Sequence, residues 1–250
     1  MRFIHLADVH LGAVPDRGCP WSEKRENEIW ETFRRVIAGI RENPVDLLFI
    51  AGDLFQRQPL PYELKEVNDL FSSIPTTRVY LMAGDSDYLK QDSFYKKFSW
   101  ASNVNFFAEE KVTCIKDLKS DVYVYGMSYE HSRIAEALYD NARPTGRTGV
   151  HILMAHGGDD SHCPINVPAL IGAGFDYIAL GHLHTPQSII RDAAAYSGAL
   201  EPVCSNDFGE HGYIEGRIEN GKVRTRFVPF SIRTYSQLLI NVNEESTQLS

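Results

Sequence analysis

The chain has 250 residues, of which 43% are hydrophobic and 23% charged, an ordinary balance for a soluble globular protein of one large domain or one domain plus part of another. No apolar run approaches a membrane span, and the opening MRFIHLADVH enters a strand at once and leaves no room for a signal peptide. The formal charge of −8 argues against strong nonspecific nucleic-acid binding by this segment alone, because phosphate contacts need Lys and Arg. Cys19, Cys114, Cys163 and Cys204 are scattered without a CxxC pair, which predicts unpaired thiols in a reducing cytoplasm and no zinc-thiolate site.

In chain order, residues 2–7, 46–51, 78–83, 150–155 and 176–181 are short apolar runs, each predicted as a buried strand. Polar ligand types follow them: Asp8, Asp53 after a Gly, Asp85 after a Gly, His156, and His182 after a Gly. Strand ends that deliver polar side chains to one sheet edge form the usual α/β site layout.

Helices are predicted between the strands. Ser22 is read as an N-cap ahead of Ile29, Phe33, Val36, Ile37 and Ile40, with Asn43-Pro44 as the stop. Leu60, Leu64, Val67, Leu70 and Phe71 repeat the pattern up to Ile74-Pro75. Residues 121–129 read as a strand with alternating faces, and 132–141 as a further helix before the turn region 144–149. Beyond residue 187 the texture changes to short strands, with Glu219-Asn220-Gly221-Lys222 as a hairpin signal. Residues 235–242 (YSQLLINV) read as one more strand. The expected division is a domain over 1–231 and a strand and tail over 232–250 that starts an absent capping domain.

Asp and His in this order are ligand types that divalent manganese, iron or zinc accept. A central carboxylate, here Asp53, can bridge two ions ~3.5–4 Å apart, an arrangement that polarises a phosphoryl oxygen and acidifies a shared water. Each short motif is weak by itself: DxH occurs by chance, GD is common, and a lone His after a strand is more often a satisfied core histidine. The ordered set, each member at a predicted strand end and closing in GHLH, carries the argument. His182 and His184 lie on the same side of an extended segment and can face one metal pair.

With these residues in view, the DVHLG, GDLF, GDSDYL, HG and GHLHTPQ segments resemble the calcineurin-like metallophosphoesterases, most closely the branch containing the bacterial SbcD double-strand-break repair nuclease. The resemblance spans about residues 1–230. It implies a mixed α/β fold, a four-layer α-β-β-α sandwich with metals at one sheet edge. It also implies two divalent ions, manganese in the first place with iron or zinc as alternatives. Asp8, His10, Asp53 and His184 would hold one ion, and Asp53, Asp85, His156 and His182 the other. DNA as substrate, an SbcC-like ABC-type ATPase partner and a homodimer are further implications.

Residues 84–87 depart from the family pattern Gly-Asn-His-Asp, reading Gly-Asp-Ser-Asp. Asp85 replaces an amide ligand, so Asp8, Asp53 and Asp85 bring three negative charges where the pattern has two, predicting tighter metal retention and a less acidic bridging water. Ser86 occupies the position of the imidazole that faces the scissile phosphate, and general acid-base help of that kind is typically worth ~10²–10⁴ in rate. Asp87, in the orienting position, loses its partner and is expected near the metals as an extra negative charge. His131 and His162 are candidates to substitute for that imidazole. Arg57 is placed on the rim, where it would touch a phosphate backbone or stand as a solvated loop arginine. Trp21, Tyr88 and Phe55 would stack bases or, more simply, pack against neighbouring loops. Three functions are left open: a weakened metal-dependent DNA exonuclease or endonuclease, a catalytically impaired subunit that binds metal and DNA or an ATPase, and a hydrolase of small phosphoesters.

Overall fold

Alternation along the strands decides the layers. In β1 (Arg2–Leu6), Phe3 faces one way and Ile4 and Leu6 the other; in β2 (Leu47–Ala51), Leu47, Phe49 and Ala51 oppose Leu48 and Ile50. Every residue of β2 is buried, so this strand has apolar neighbours on both faces and lies in the middle of a stack.

A computed structural model describes residues 1–146 and 148–241. Two six-stranded mixed sheets are stacked. The first adds β3 (Arg78–Met82), β4 (Val104–Phe106) and the hairpin β11 (Gly212–Glu219) and β12 (Lys222–Pro229), in the order β12-β11-β1-β2-β3-β4. The second contains β5 (Thr113–Lys116), β6 (Val122–Gly126), β7 (Val150–His156), β8 (Tyr177–Gly181), β9 (Gln187–Ile190) and β10 (Ala194–Tyr196), in the order β5-β6-β7-β8-β10-β9. Strands β1 to β4 run parallel, as do β6, β7, β8 and β10.

Between the sheets, Phe3, Phe49, Tyr80 and Met82 meet Val124, Ile152, Met154 and Tyr177. The outer face of the first sheet packs against α1 (Ser22–Glu42) through Ile29, Phe33, Val36, Ile37 and Ile40, and against α2 (Pro61–Ser72) through Leu64, Val67 and Phe71. Each such fully buried side chain contributes about 1.5–3 kcal/mol of burial free energy. The second sheet is covered by α4 (Val167–Gly172) and long loops, with Leu170, Phe175 and Tyr139 against Leu153, Ile178 and Leu180. The expected α-β-β-α sandwich is present, with one thin outer layer. A single turn, α3 (Phe94–Lys97), precedes β4.

Three local expectations change. Ser22 is the first residue of α1, not its cap: Trp21 precedes the helix, and the Ser22 hydroxyl donates to the Pro15 carbonyl, 2.9 Å away. No helix forms over 132–141, because Ile134 exchanges backbone hydrogen bonds with Ser161 and Cys163 and the chain then turns. Residues 235–241 form no strand. Tyr235 makes isolated bridges to Phe208 and Gly209, while Leu238, Leu239 and Ile240 are exposed and find no sheet edge among the described residues. Val242, the end of that expected strand, lies outside the described residues. The Asn220-Gly221 hairpin forms as expected, both residues at positive φ.

Candidate metal centre

The C-terminal ends of the parallel strands of both sheets converge at one place. Asp8 and His10 follow β1, Asp53 follows β2, Asp85 follows β3, His156 ends β7, and His182 and His184 follow β8. Asp8, His10, Asp53 and His182 have positive φ (50°, 51°, 50° and 102°), a region that costs a non-glycine residue about 1–3 kcal/mol. Backbone bonds hold the strained loops together: His10 N donates to Asp53 O at 3.0 Å and Leu11 N to Leu54 O at 2.9 Å. The glycines of the two GD motifs are there for closeness. A Cβ at Gly52 would sit 2.2 Å from His156 Nδ1, and one at Gly84 would sit 2.2 Å from Asp53 Oδ1.

Hydrogen bonds fix which nitrogen of each ring faces inward. His156 Nδ1 lies 2.8 Å from the Ala51 carbonyl, which can only accept, so Nδ1 donates and the Nε2 lone pair is left free. His182 Nε2 lies 2.9 Å from Asp159 Oδ2 and donates to it, leaving the Nδ1 lone pair. Both lone pairs meet the same acceptor, Asp85 Oδ1, at 2.9 and 3.0 Å. With the rings neutral, three acceptors converge there and a shared cation would satisfy all of them; without one, a proton on each inward nitrogen lets both rings donate to Asp85. On the other side His184 Nδ1 donates to Asp207 at 3.1 Å, and its Nε2 lies 3.1 Å from His10 Nε2. Asp53 stands between the groups, with Oδ2 3.6 Å from His10 Nε2 and Oδ1 3.6 Å from His156 Nε2.

The ionisation preferences agree. Burial works against a His156 cation, yet Asp53, Asp85 and Asp8 outweigh it and push the pKa up to about 10. Burial also opposes the Asp85 charge, but hydrogen bonds and charges from His156 and His182 hold its carboxyl well below the usual range. Burial raises Asp8, with Asp53 adding to it. His10 is lowered, chiefly by burial. The carboxylates Asp8, Asp53 and Asp85 thus favour positive charge around His156, as protons on the ring or as metal ions. Asp8, His10 and His184 offer donor atoms within 4.8 Å of one another, and so do Asp85, His156 and His182, and Asp8, Asp53 and His156. Carboxylate and imidazole donors of this kind suit divalent metal, and Asp53 stands between the clusters.

The remaining predicted site residues divide. Ser86 turns inward: its hydroxyl donates to Asp53 Oδ2 at 2.7 Å and its amide to Asp53 Oδ1 at 2.9 Å. Asp87 is fully buried and accepts from Gly84 N at 2.8 Å and Phe55 N at 3.1 Å. It is therefore not an extra charge facing the metals, and burial pushes its carboxyl well above the usual range. Arg57 is not a free phosphate contact: both edges of its guanidinium engage Glu63, at 2.8 and 2.9 Å. His131 pairs with Glu110 instead of the centre, whereas the His162 ring lies 4.6 Å from that of His182. Phe55 is buried edge-on against Tyr95, Tyr88 is half-buried, and Trp21 is exposed with its indole N–H on Asp16.

Asp159, Asp207 and Glu63 escaped the sequence reading. No motif marks Asp207 in a CSNDF loop, and Asp159 follows HGG with no regular element to fix its direction. For Glu63 a signal existed, since an acid three residues into a helix commonly caps it; its carboxylate accepts from Leu60 N at 2.7 Å.

Comparison with known proteins agrees with this geometry. The model of the calcineurin-like phosphoesterase family matches residues 1–186. The chain is 28% identical to a protein named uncharacterized metallophosphoesterase YhaO of Bacillus subtilis, over 91% of this chain and 60% of that protein. It is 27% identical to the DNA double-strand break repair protein Mre11 of Methanopyrus kandleri, over 81% of this chain and 49% of the relative. The Aeropyrum pernix protein of the same name is 28% identical, over 81% of this chain and 54% of the relative. The chain thus spans between 49% and 60% of the length of these relatives.

Proposed function

The chain belongs to the calcineurin-like phosphoesterase family, and on that premise we propose that it is a two-metal phosphodiesterase acting on DNA, with turnover weakened at position 86. The observation that carries this reading is the convergence of His156 Nε2, His182 Nδ1 and Asp85 Oδ1 on one point beside a shared Asp53. Asp8, His10, Asp53 and His184 would hold one divalent ion, and Asp53, Asp85, His156 and His182 the other. Manganese is the proposed metal. Bound there, the pair would polarise a phosphoryl group and activate water for attack.

The chain's own residues set the conditions for that chemistry. Asp53 is held by the hydroxyl and amide of Ser86, so its position does not depend on the metals alone. Ser86 offers the substrate no imidazole, and its hydroxyl is committed to Asp53. The extra charge of Asp85 binds the second ion more strongly and leaves less net positive charge for an incoming phosphodiester. Similarity to proteins named for DNA double-strand break repair supports DNA as substrate. A cytoplasmic setting, an ABC-type ATPase partner resembling SbcC, a homodimer and a capping domain after residue 231 belong to the same proposal. Among the described residues no helix is long and apolar enough to cross a membrane.

A second reading rests on the inward turn of Ser86: a subunit that binds metal and DNA or an ATPase without turning substrate over. Manganese-dependent cleavage of single- and double-stranded DNA decides between them. We expect slow cleavage by this protein and a gain of about 10²-fold or more in the Asp85→Asn, Ser86→His double variant. No cleavage at all, with the double variant active, selects the second reading. Equal rates in the two proteins would remove the assigned handicap at position 86.

A further inference from the structure

We propose that Asp159 and Asp207 are the positioning residues of the metal centre, one for each ion, acting through the two histidines of GHLH. The inference rests on the two-metal reading above and says which side chains outside its motifs make it work.

The two carboxylates are built alike. Asp207 Oδ2 accepts from the backbone N–H groups of Val203 (2.8 Å) and Cys204 (3.0 Å), and its oxygens receive His184 Nδ1 and the Cys204 thiol. Asp159 Oδ1 accepts from the backbone N–H groups of Ser161 (2.7 Å) and His162 (2.9 Å), and its Oδ2 receives His182 Nε2 and His162 Nδ1, both at 2.9 Å. Each carboxylate is thus fixed by its own loop before it meets a ring. Each then accepts a proton that must sit on one named nitrogen, and so decides which nitrogen keeps its lone pair. For His184 that nitrogen is Nε2, facing His10; for His182 it is Nδ1, facing Asp85. Without the outer acceptor, a neutral imidazole can turn over or place its proton on the inward nitrogen, and either change removes a ligand.

The assignment is one-to-one because the two histidines face different donor groups. Asp207 acts on the ion held by Asp8, His10 and His184, and Asp159 on the ion held by Asp85, His156 and His182. Carboxylates that accept from a ligating histidine typically carry 10–100-fold in metal affinity. Asp207 is nearly buried, while half of the Asp159 side chain is exposed, so the larger effect belongs to Asp207.

Manganese titration of the metal-stripped chain by calorimetry tests this independently of hydrolysis. Wild type should bind two ions. Asp159→Ala and Asp207→Ala should each weaken one ion by about 10–100-fold and leave the other at wild-type affinity. Asp159→Asn and Asp207→Asn keep an acceptor oxygen and should recover most of the loss. The Asp159→Ala, Asp207→Ala double variant should bind both ions weakly. Wild-type affinity in either alanine variant overturns the proposal, as does a double variant that keeps one tight ion, since both residues would then act on the same site. Asparagine variants no better than alanine would make charge, not orientation, the cause, and also overturn it. A wild type that binds fewer than two ions removes this inference and the two-metal reading together. Two ions with the expected split but no cleavage of DNA removes only the phosphodiesterase reading.

Discussion

Asp87 separates a role in holding the centre from a role in turnover. It has no solvent exposure, and its two oxygens accept from Gly84 N (2.8 Å) and Phe55 N (3.1 Å), tying the loop after β3 to the loop after β2. Asp87→Ala leaves both buried amides without a partner, and each orphan costs about 1–3 kcal/mol, or about 2–6 kcal/mol together. Removing a buried carboxylate whose charge is disfavoured by its surroundings gives part of that back, so the net loss should fall at about 1–4 kcal/mol. For a chain of this size each kcal/mol moves the melting temperature by about 2–4 °C. Thermal unfolding of the metal-free protein should therefore show Asp87→Ala lower by about 2–16 °C, with Asp87→Asn between it and wild type because the amide keeps one acceptor oxygen. If Asp87→Ala melts within a degree of wild type but loses hydrolysis, the latch is wrong and the residue serves the reaction directly.

Three further outcomes follow from the same geometry. Gly84→Ala brings a methyl within 2.2 Å of Asp53 Oδ1 and 2.7 Å of His156 Nε2, so the folded variant should lose at least one of the two proposed ions in a manganese titration. The histidines give the metal-free protein a pH signature. His156, whose folded pKa is about 10 against an ordinary 6.5, stabilises the fold fully below about pH 6.5 and loses that contribution as pH rises toward 10, with His182 and His184 shifted in the same direction. Metal-free melting temperature should fall across that window while apparent manganese affinity rises, because fewer protons remain to be displaced; a flat profile for both would contradict the field described around Asp53. Glu63→Ala orphans Leu60 N and both guanidinium contacts of Arg57 and should destabilise more than Arg57→Ala, which leaves the Glu63 carboxylate its bond from Leu60 N. Chemical denaturation ranks the two variants, and the reverse order would return Arg57 to a binding role.

What could be read from the sequence follows from range. The five runs ending in Asp8, Asp53, Asp85, His156 and His182 were visible because a strand buried on both faces is apolar throughout and the residue after it is not. Residues 132–141 looked helical because the local pattern carries no trace of Ser161 and Cys163, the partners that take the Ile134 backbone. Residues 235–241 read as a strand because they suit one, yet a strand also needs an edge to pair with, which local preference does not supply. The same limit hid Asp159 and Asp207. A ligand at a strand end has a direction set by the strand; a carboxylate in an irregular loop has a direction only once the loop has folded.

The departure at residues 84–87 takes its meaning from where three side chains point. Asp85 faces His156 and His182, Ser86 faces Asp53, and Asp87 faces the amides of Phe55 and Gly84. Each is engaged in keeping the donor atoms together. Asp85, where the family pattern has an amide, adds charge at the point where the inward nitrogens of His156 and His182 converge, which favours a cation there. Ser86, where the family pattern has an imidazole, adds a hydrogen bond to Asp53, the carboxylate proposed to be shared by two ions. On the proposed two-metal reading, both departures favour holding metal over serving a substrate. Retention and turnover should therefore be separable in this chain: the Ser86→His variant gives up the hydroxyl on Asp53, and should gain rate while holding metal less tightly. Faster cleavage with undiminished manganese affinity would show that the Ser86 hydroxyl contributes nothing to the cradle.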